Sequence, residues 1–242
     1  SPKSVTAAKE GEPVTSEMTQ TTPTVPIKKI RLTACFLTFY NVIFHARKTG
    51  SLLSMENDEA ICVKSALDRI HAEHLALADA MDWLKVDQLA DCVRASRRVF
   101  TLGRGRSGLV MAMFAMRLMH LGKLAHVVGE ATAPAVSAGD LLVVASASGE
   151  TESVCRLTET ARDIGVSCVG FSTRADSPLA RTLACCAVIP AGDKRKTDNS
   201  TWQFAGTLFE QAVLLITDAI VLRLADQSAS WTTMSRNHAN IE

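Results

Sequence analysis

Five short apolar runs, each handed on to a loop and then mostly to a helical repeat, constrain this chain more than any other feature. The runs are RRVFTL (97–102), LAHVV (124–128), DLLVVAS (140–146), VSCVGF (166–171) and CCAVIP (185–190). They are β-branched and do not alternate polar with apolar, so both faces of each strand are buried. Helical spacing fills the gaps. SGLVMAMFAMRLMHLG (107–122) and ESVCRLTETARDIG (152–165) both end on a glycine in the usual stop position. A short helix is expected near Pro178 to Leu183, and a long apolar one over 206–226. Ahead of the first run, Ile61, Leu67, Ile70, His74, Leu75 and Leu77 repeat at helical spacing, and 87–95 reads as a second helix. Alternating βα units with buried strands form a parallel sheet covered by helices, wound right-handedly. The fold class is therefore α/β, a five-stranded parallel sheet in a flavodoxin-like three-layer sandwich, with N-terminal helices in front. Such sheets bind ligands beyond the carboxyl ends of their strands. The loops after Leu102, Ser146, Phe171 and Pro190 are where chemistry is expected.

Composition narrows the partners. The 242 residues are 47% hydrophobic and 21% charged, which suits one domain with a tail or two small domains. Lys and Arg number 26 against 25 Asp and Glu, and aromatics are 5%. Neither the charge footprint nor the stacking surface of a nucleic-acid binder is present. None of the seven cysteines is spaced Cys-x-x-Cys, and Cys185 and Cys186 are too close to bridge without strain. A reducing cytoplasmic setting without a zinc site is expected. Ser1 to Pro26 is rich in Thr, Ser, Pro, Lys and Glu. The apolar stretch 30–46 carries Arg31, Asn41 and His45 and falls short of the roughly 18 to 20 apolar residues of a membrane span. Residues 1–54 are expected to be a disordered or artefactual extension, and 55–242 the folded domain, with Met55 as its natural start.

Two loops hold the informative residues. Gly103-Arg104-Gly105-Arg106-Ser107-Gly108 matches G-x-G-x-x-G, and Glu130 lies where a ribose-binding acid falls in a dinucleotide fold. Ser107 also suits a helix N-cap. After the third strand, Ser146-Ala147-Ser148-Gly149-Glu150-Thr151 sets three hydroxyl residues and a glycine at the mouth of the next helix. Hydroxyls and free N–H groups at a helix start bind anions. A dinucleotide fold uses one such cradle; here two strand ends present one, and Ser172-Thr173 adds further hydroxyls. A compact phosphate monoester fits that arrangement better than an extended cofactor.

GRGRSG, FAMRLMHLG, VGEATAPA, GDLLVVASASGET, DSPLA, GTLFE and RNHANIE together resemble the SIS (sugar isomerase) domain family, and within it the 6-phospho-3-hexuloisomerases. The resemblance runs from about Glu56 to Glu242. It departs from the family pattern at Arg104, where a small residue is usual, at Ala147, where glycine is common, and at QFAGTLFE, where Pro-Met-Gly is expected. It implies interconversion of D-arabino-hex-3-ulose 6-phosphate and D-fructose 6-phosphate through an enediol, in the ribulose monophosphate pathway of formaldehyde fixation. It also implies no cofactor or metal, a cytoplasmic homotetramer, and 3-hexulose-6-phosphate synthase as metabolic partner. The phosphosugar site would comprise Ser107, Ser146, Ala147, Ser148, Gly149, Glu150 and Thr151.

Glu210 is the expected base, since it stands in the first turn of an otherwise apolar helix where burial works against its charge. An acid near a helix start is also favourable for stability alone. Glu150 is the competing carboxylate. His120 is the expected acid or carbonyl polariser, and His238 would reach a neighbouring subunit's site. His71 and His74 are read as packing or surface residues, and Asp193 to Lys196 as a solvated loop. Two alternatives stand beside the isomerase: a SIS module that binds phosphosugars without turnover, and a dinucleotide-dependent dehydrogenase.

Overall fold

Residues 61–192, 201–228 and 231–241 are described by a computed structural model. Two helices, α1 (Val63–Ala80) and α2 (Trp83–Ala95), lead into β1 (Arg98–Leu102). Then come α3 (Gly105–His120), β2 (Leu124–Val127), β3 (Leu141–Ala145), α4 (Glu152–Asp163), β4 (Ser167–Ser172), α5 (Pro178–Thr182) and β5 (Cys185–Val188). The described part closes with α6 (Thr207–Ser228) and α7 (Trp231–Arg236). All strand pairs are parallel, in the order β2-β1-β3-β4-β5. The α/β class, the five strands and the flanking helices agree with the sequence.

Alternate strand residues feed two cores, which is why the strand runs are apolar throughout. Val99, Val143, Val169 and Ala187 face the larger core, built with α1, α2, α3 and α6. Phe100, Leu102, Leu142, Val144 and Cys168 face the smaller one, under α4 and α5. At the amino ends of β1 and β3, Arg98 donates from Nε and Nη2 to both oxygens of Asp140, at 2.7 and 2.6 Å. That bidentate bond holds the Asp140 carboxyl below the usual carboxylate range.

Element boundaries differ from expectation for local reasons. The second helix starts at Trp83, not 87, because the Asp82 carboxylate accepts from the Leu84 and Lys85 N–H groups. α3 starts at Gly105, so Ser107 is its third residue and not its cap. α7, a helix of six residues, has no counterpart in the sequence reading. Residues 1–54 and the Asp193 to Lys196 run lie outside the described residues. No described helix is long and apolar enough to cross a membrane.

Candidate active site

In the order β2-β1-β3, the chain's course across the parallel sheet reverses at β1, and in such sheets the carboxyl edge at this switch point, between β1 and β3, is where ligands bind. Both informative loops border it. After β1, the chain turns through Gly103 and Arg104 into α3. A side chain at Gly103 would meet the Gly108 N at 2.9 Å, so the first and last glycines of the motif close a tight turn by themselves. Arg104 occupies the N-cap and contributes no capping side chain. Glu130, the residue that suggested a ribose contact, is exposed after β2.

After β3, Gly149 has a φ of +60°, and a Cβ there would run into the hydroxyls of Ser172 and Ser177. The Ser146 and Thr151 hydroxyls lie 3.3 Å apart, and Ser148 Oγ accepts from the Glu150 N–H at 3.2 Å. Thr151 is the N-cap of α4 and makes no side-chain capping bond. Thus Ser146, Ala147, Ser148, Gly149, Glu150 and Thr151 form one turn over the start of α4, with Ser107 buried at the start of α3.

The hydroxyls after β4 serve a different end from the one expected. Thr173 donates from Oγ1 to the Ala147 carbonyl at 2.7 Å, and Ser172 Oγ lies 3.4 Å from the same oxygen. Ser177 accepts from the Ala180 N–H as cap of α5. These residues brace the β3 loop from behind. Arg174, in the same segment, donates to Glu150 at 3.1 Å and to both oxygens of Asp176. The Glu150 side chain is therefore directed toward the β4–α5 segment.

Glu210 sits in the first turn of α6, 5% exposed among Leu208, Phe209, Ala212 and Val213. α3 packs along α6 with both N-termini at the same end, and Arg106 Nε donates to Glu210 Oε2 at 2.5 Å. This brings Glu210 beside the β1 loop with a counter-charge. Arg106 was not singled out by the sequence, because its partner is 104 positions away. Its one local signal is a cation in the first turn of a helix, where the dipole disfavours it.

His120 lies elsewhere. It ends α3, and the thirteen helical residues after Ser107 carry it about 20 Å away at the usual rise. There it is 3% exposed and stacks on His238, with ring centroids 5.0 Å apart and planes at 26°. Asn237 Nδ2 donates to the His120 carbonyl at 3.1 Å and fixes the terminal segment against α3. A cleft of about 600 Å³ opens beside the pair, lined by Arg117, Trp231, Met234 and Arg236 among others. Burial first, then His238 and Arg117, lower the His120 pKa below the ordinary histidine value. The predicted residues thus fall into two groups: Glu210 with the loops after β1 and β3, and His120 with His238 at the opposite end of α3. Of the remaining histidines, His74 bonds Gln211 of α6 at 3.0 Å and His71 is exposed, in keeping with packing and surface roles.

Comparison with known proteins follows the same outline. Residues 93–215 match the SIS domain family. The 3-hexulose-6-phosphate isomerase of Mycobacterium gastri is 42% identical over 188 residues, covering 74% of this chain and 92% of the relative. The enzyme of the same name from Bacillus subtilis is 38% identical over 161 residues, covering 65% and 87%. Among solved structures, a hypothetical protein of Methanococcus jannaschii superposes with a TM-score of 0.65 at 26% identity, covering 73% of this chain and 99% of that one. Its structure was reported to infer a molecular function of 3-hexulose-6-phosphate isomerase. With more than half of its length matched and relatives covered almost end to end, this chain belongs to the SIS domain family.

Proposed function

We propose that the protein is a 3-hexulose-6-phosphate isomerase, interconverting D-arabino-hex-3-ulose 6-phosphate and D-fructose 6-phosphate, and that residues 55–242 are its isomerase domain. The observation that carries the reading is the switch point between β1 and β3, where two helices begin without a side-chain cap and a buried carboxylate is ion-paired to the first of them. Uncapped N–H groups and the dipoles of α3 and α4 suit a phosphate dianion. Ser107, Ser146, Ser148 and Thr151 supply hydroxyls, while Ala147, Gly149 and Glu150 supply backbone.

The reaction moves a carbonyl by one carbon. Glu210 takes the proton from the carbon beside the carbonyl, the electron pair forms an enediol, and the proton returns to the former carbonyl carbon. One hydroxyl proton must leave and another must arrive, which is work for an imidazole. His120 fits it chemically, since its lowered pKa keeps the ring neutral, able both to accept and to donate. At about 20 Å from Ser107 along its own helix, it would act in a neighbouring subunit's site, with His238 beside it. A homotetramer accords with the exposed apolar residues Leu109, Met113 and Met116 on α3 and Leu215 and Leu222 on α6. A cytoplasmic location and 3-hexulose-6-phosphate synthase as the preceding enzyme complete the proposal.

Hydrogen exchange tests it. Fructose 6-phosphate incubated with the protein in D₂O should gain deuterium at carbon 3, with or without NAD. Binding without exchange would instead make the chain a phosphosugar-binding module, and exchange only with NAD would favour a dehydrogenase.

A further inference from the structure

Arg106 is in the wrong place for stability. The first turn of a helix carries the positive end of the dipole, so a cation there is unfavourable. Its side chain is 62% exposed, while that of its partner Glu210 is 6% exposed. A guanidinium so far into solvent gains little from an ordinary surface pair. The benefit falls on the other partner: a buried carboxylate in the first turn of a largely apolar helix is matched by a directed counter-charge. A base must be ionised to take a proton. It must also hold one orientation, and a directed Nε–H bond fixes one of its oxygens.

The backbone serves the same contact. Gly105, with a φ of +57°, starts α3 immediately before Arg106, and α3 runs beside α6 with their N-termini together. Ser107 follows directly. One short segment therefore links the phosphate loop to Glu210.

We infer that Arg106 is a positioning residue: it holds the Glu210 carboxylate in one orientation beside the β1 loop through the Nε–Oε2 bond. The inference rests on the isomerase reading for its kinetic consequence and on the ion pair alone for its thermodynamic one. Arg106→Met keeps most of the length without charge. It should lose about 10²-fold in kcat, the scale of general-base catalysis, with KM changed less than about threefold. Arg106→Lys, which keeps charge but not the fork geometry, should recover part of that loss. Guanidinium ion at sub-denaturing concentration should raise kcat of Arg106→Ala at least about tenfold. A change confined to KM would overturn the inference and make Arg106 a phosphate contact; an unchanged kcat in Arg106→Met, or no recovery with Lys or guanidinium, would also overturn it. A second measurement does not depend on turnover. In a cycle of Arg106→Met, Glu210→Gln and the double variant, the double should melt no lower than the worse single variant. Strictly additive losses in Tm would overturn the pairing. If the wild-type protein shows no exchange at carbon 3 while the cycle is non-additive, the substrate assignment fails and the ion-pair role stands.

Discussion

The two ends of α3 treat charge differently: the N-terminus runs against the helix dipole, whereas the C-terminus carries the basic residues the dipole favours but holds one of them toward its neutral form. At the N-terminus, where an anion is welcome, the chain places Arg104 and Arg106. At the C-terminus, where a cation is welcome, it places Arg117 and His120, yet burial and the neighbouring His238 and Arg117 hold the imidazole toward its neutral form. The N-terminal end sets Arg106 against the buried carboxylate of Glu210; the C-terminal end holds an imidazole pair beside an open cleft. Under the proposed function, the about 20 Å between the two ends within one chain would require a second chain to bring them to one substrate.

The comparison breaks first at Glu210. Glu210→Gln keeps size and hydrogen-bonding reach but removes the base, so kcat should fall by about 10²-fold or more with KM nearly unchanged. Glu150→Gln should retain most of its activity, because the Glu150 carboxylate is engaged with Arg174 at 3.1 Å. Steady-state kinetics on both variants decide this: a dead Glu150→Gln beside an active Glu210→Gln would reverse the assignment.

The strands were legible because burial on both faces leaves no polar alternation, and five such runs admit few architectures. Glu210 was legible as a lone acid among apolar neighbours. What escaped was long-range. Ser172 and Thr173 look like further phosphate ligands in the sequence, but the Ala147 carbonyl, 25 and 26 positions away, takes them. Ser107 looks like a helix cap, but Gly105 with its positive φ starts the helix earlier. The separation of His120 from Ser107 needed only the helix rise, whereas the stacking on His238 joins residues more than a hundred positions apart and follows from packing.

A smaller effect sharpens the N-terminal end. If the starts of α3 and α4 share one phosphate, removing a hydroxyl from the α4 side should weaken binding without touching the base. Ser148→Ala or Thr151→Ala should raise KM by an amount equivalent to about 1–3 kcal/mol, the usual cost of leaving a charged acceptor one donor short, with kcat largely kept. Unchanged KM in both variants would remove the β3 loop from the site. Reduced kcat at constant KM would mean that the loop acts on the reacting carbons instead of the phosphate.

The smallest effect concerns the C-terminal end, and its sign follows from linkage. His120 has a folded pKa below its ordinary value of 6.5, chiefly because burial penalises the imidazolium and secondarily because His238 and Arg117 repel it. Above 6.5 the ring is neutral both folded and unfolded, and the site costs nothing. As pH falls below 6.5, the unfolded chain takes up the proton first, so the stability contributed by neutral His120 is lost as pH falls through the folded pKa. Tm should therefore decline between pH 7 and pH 5 in the wild-type protein. His120→Gln keeps a polar, uncharged side chain in the same position and should flatten that decline. His238 stacks directly on the ring and shares its field, so His238→Gln, by removing one of the repelling charges, should reduce the slope without abolishing it. Identical slopes in wild type and His120→Gln would show that the imidazole is as easily protonated folded as unfolded, and the contrast between the two ends of α3 would then rest on the Arg106–Glu210 pair alone.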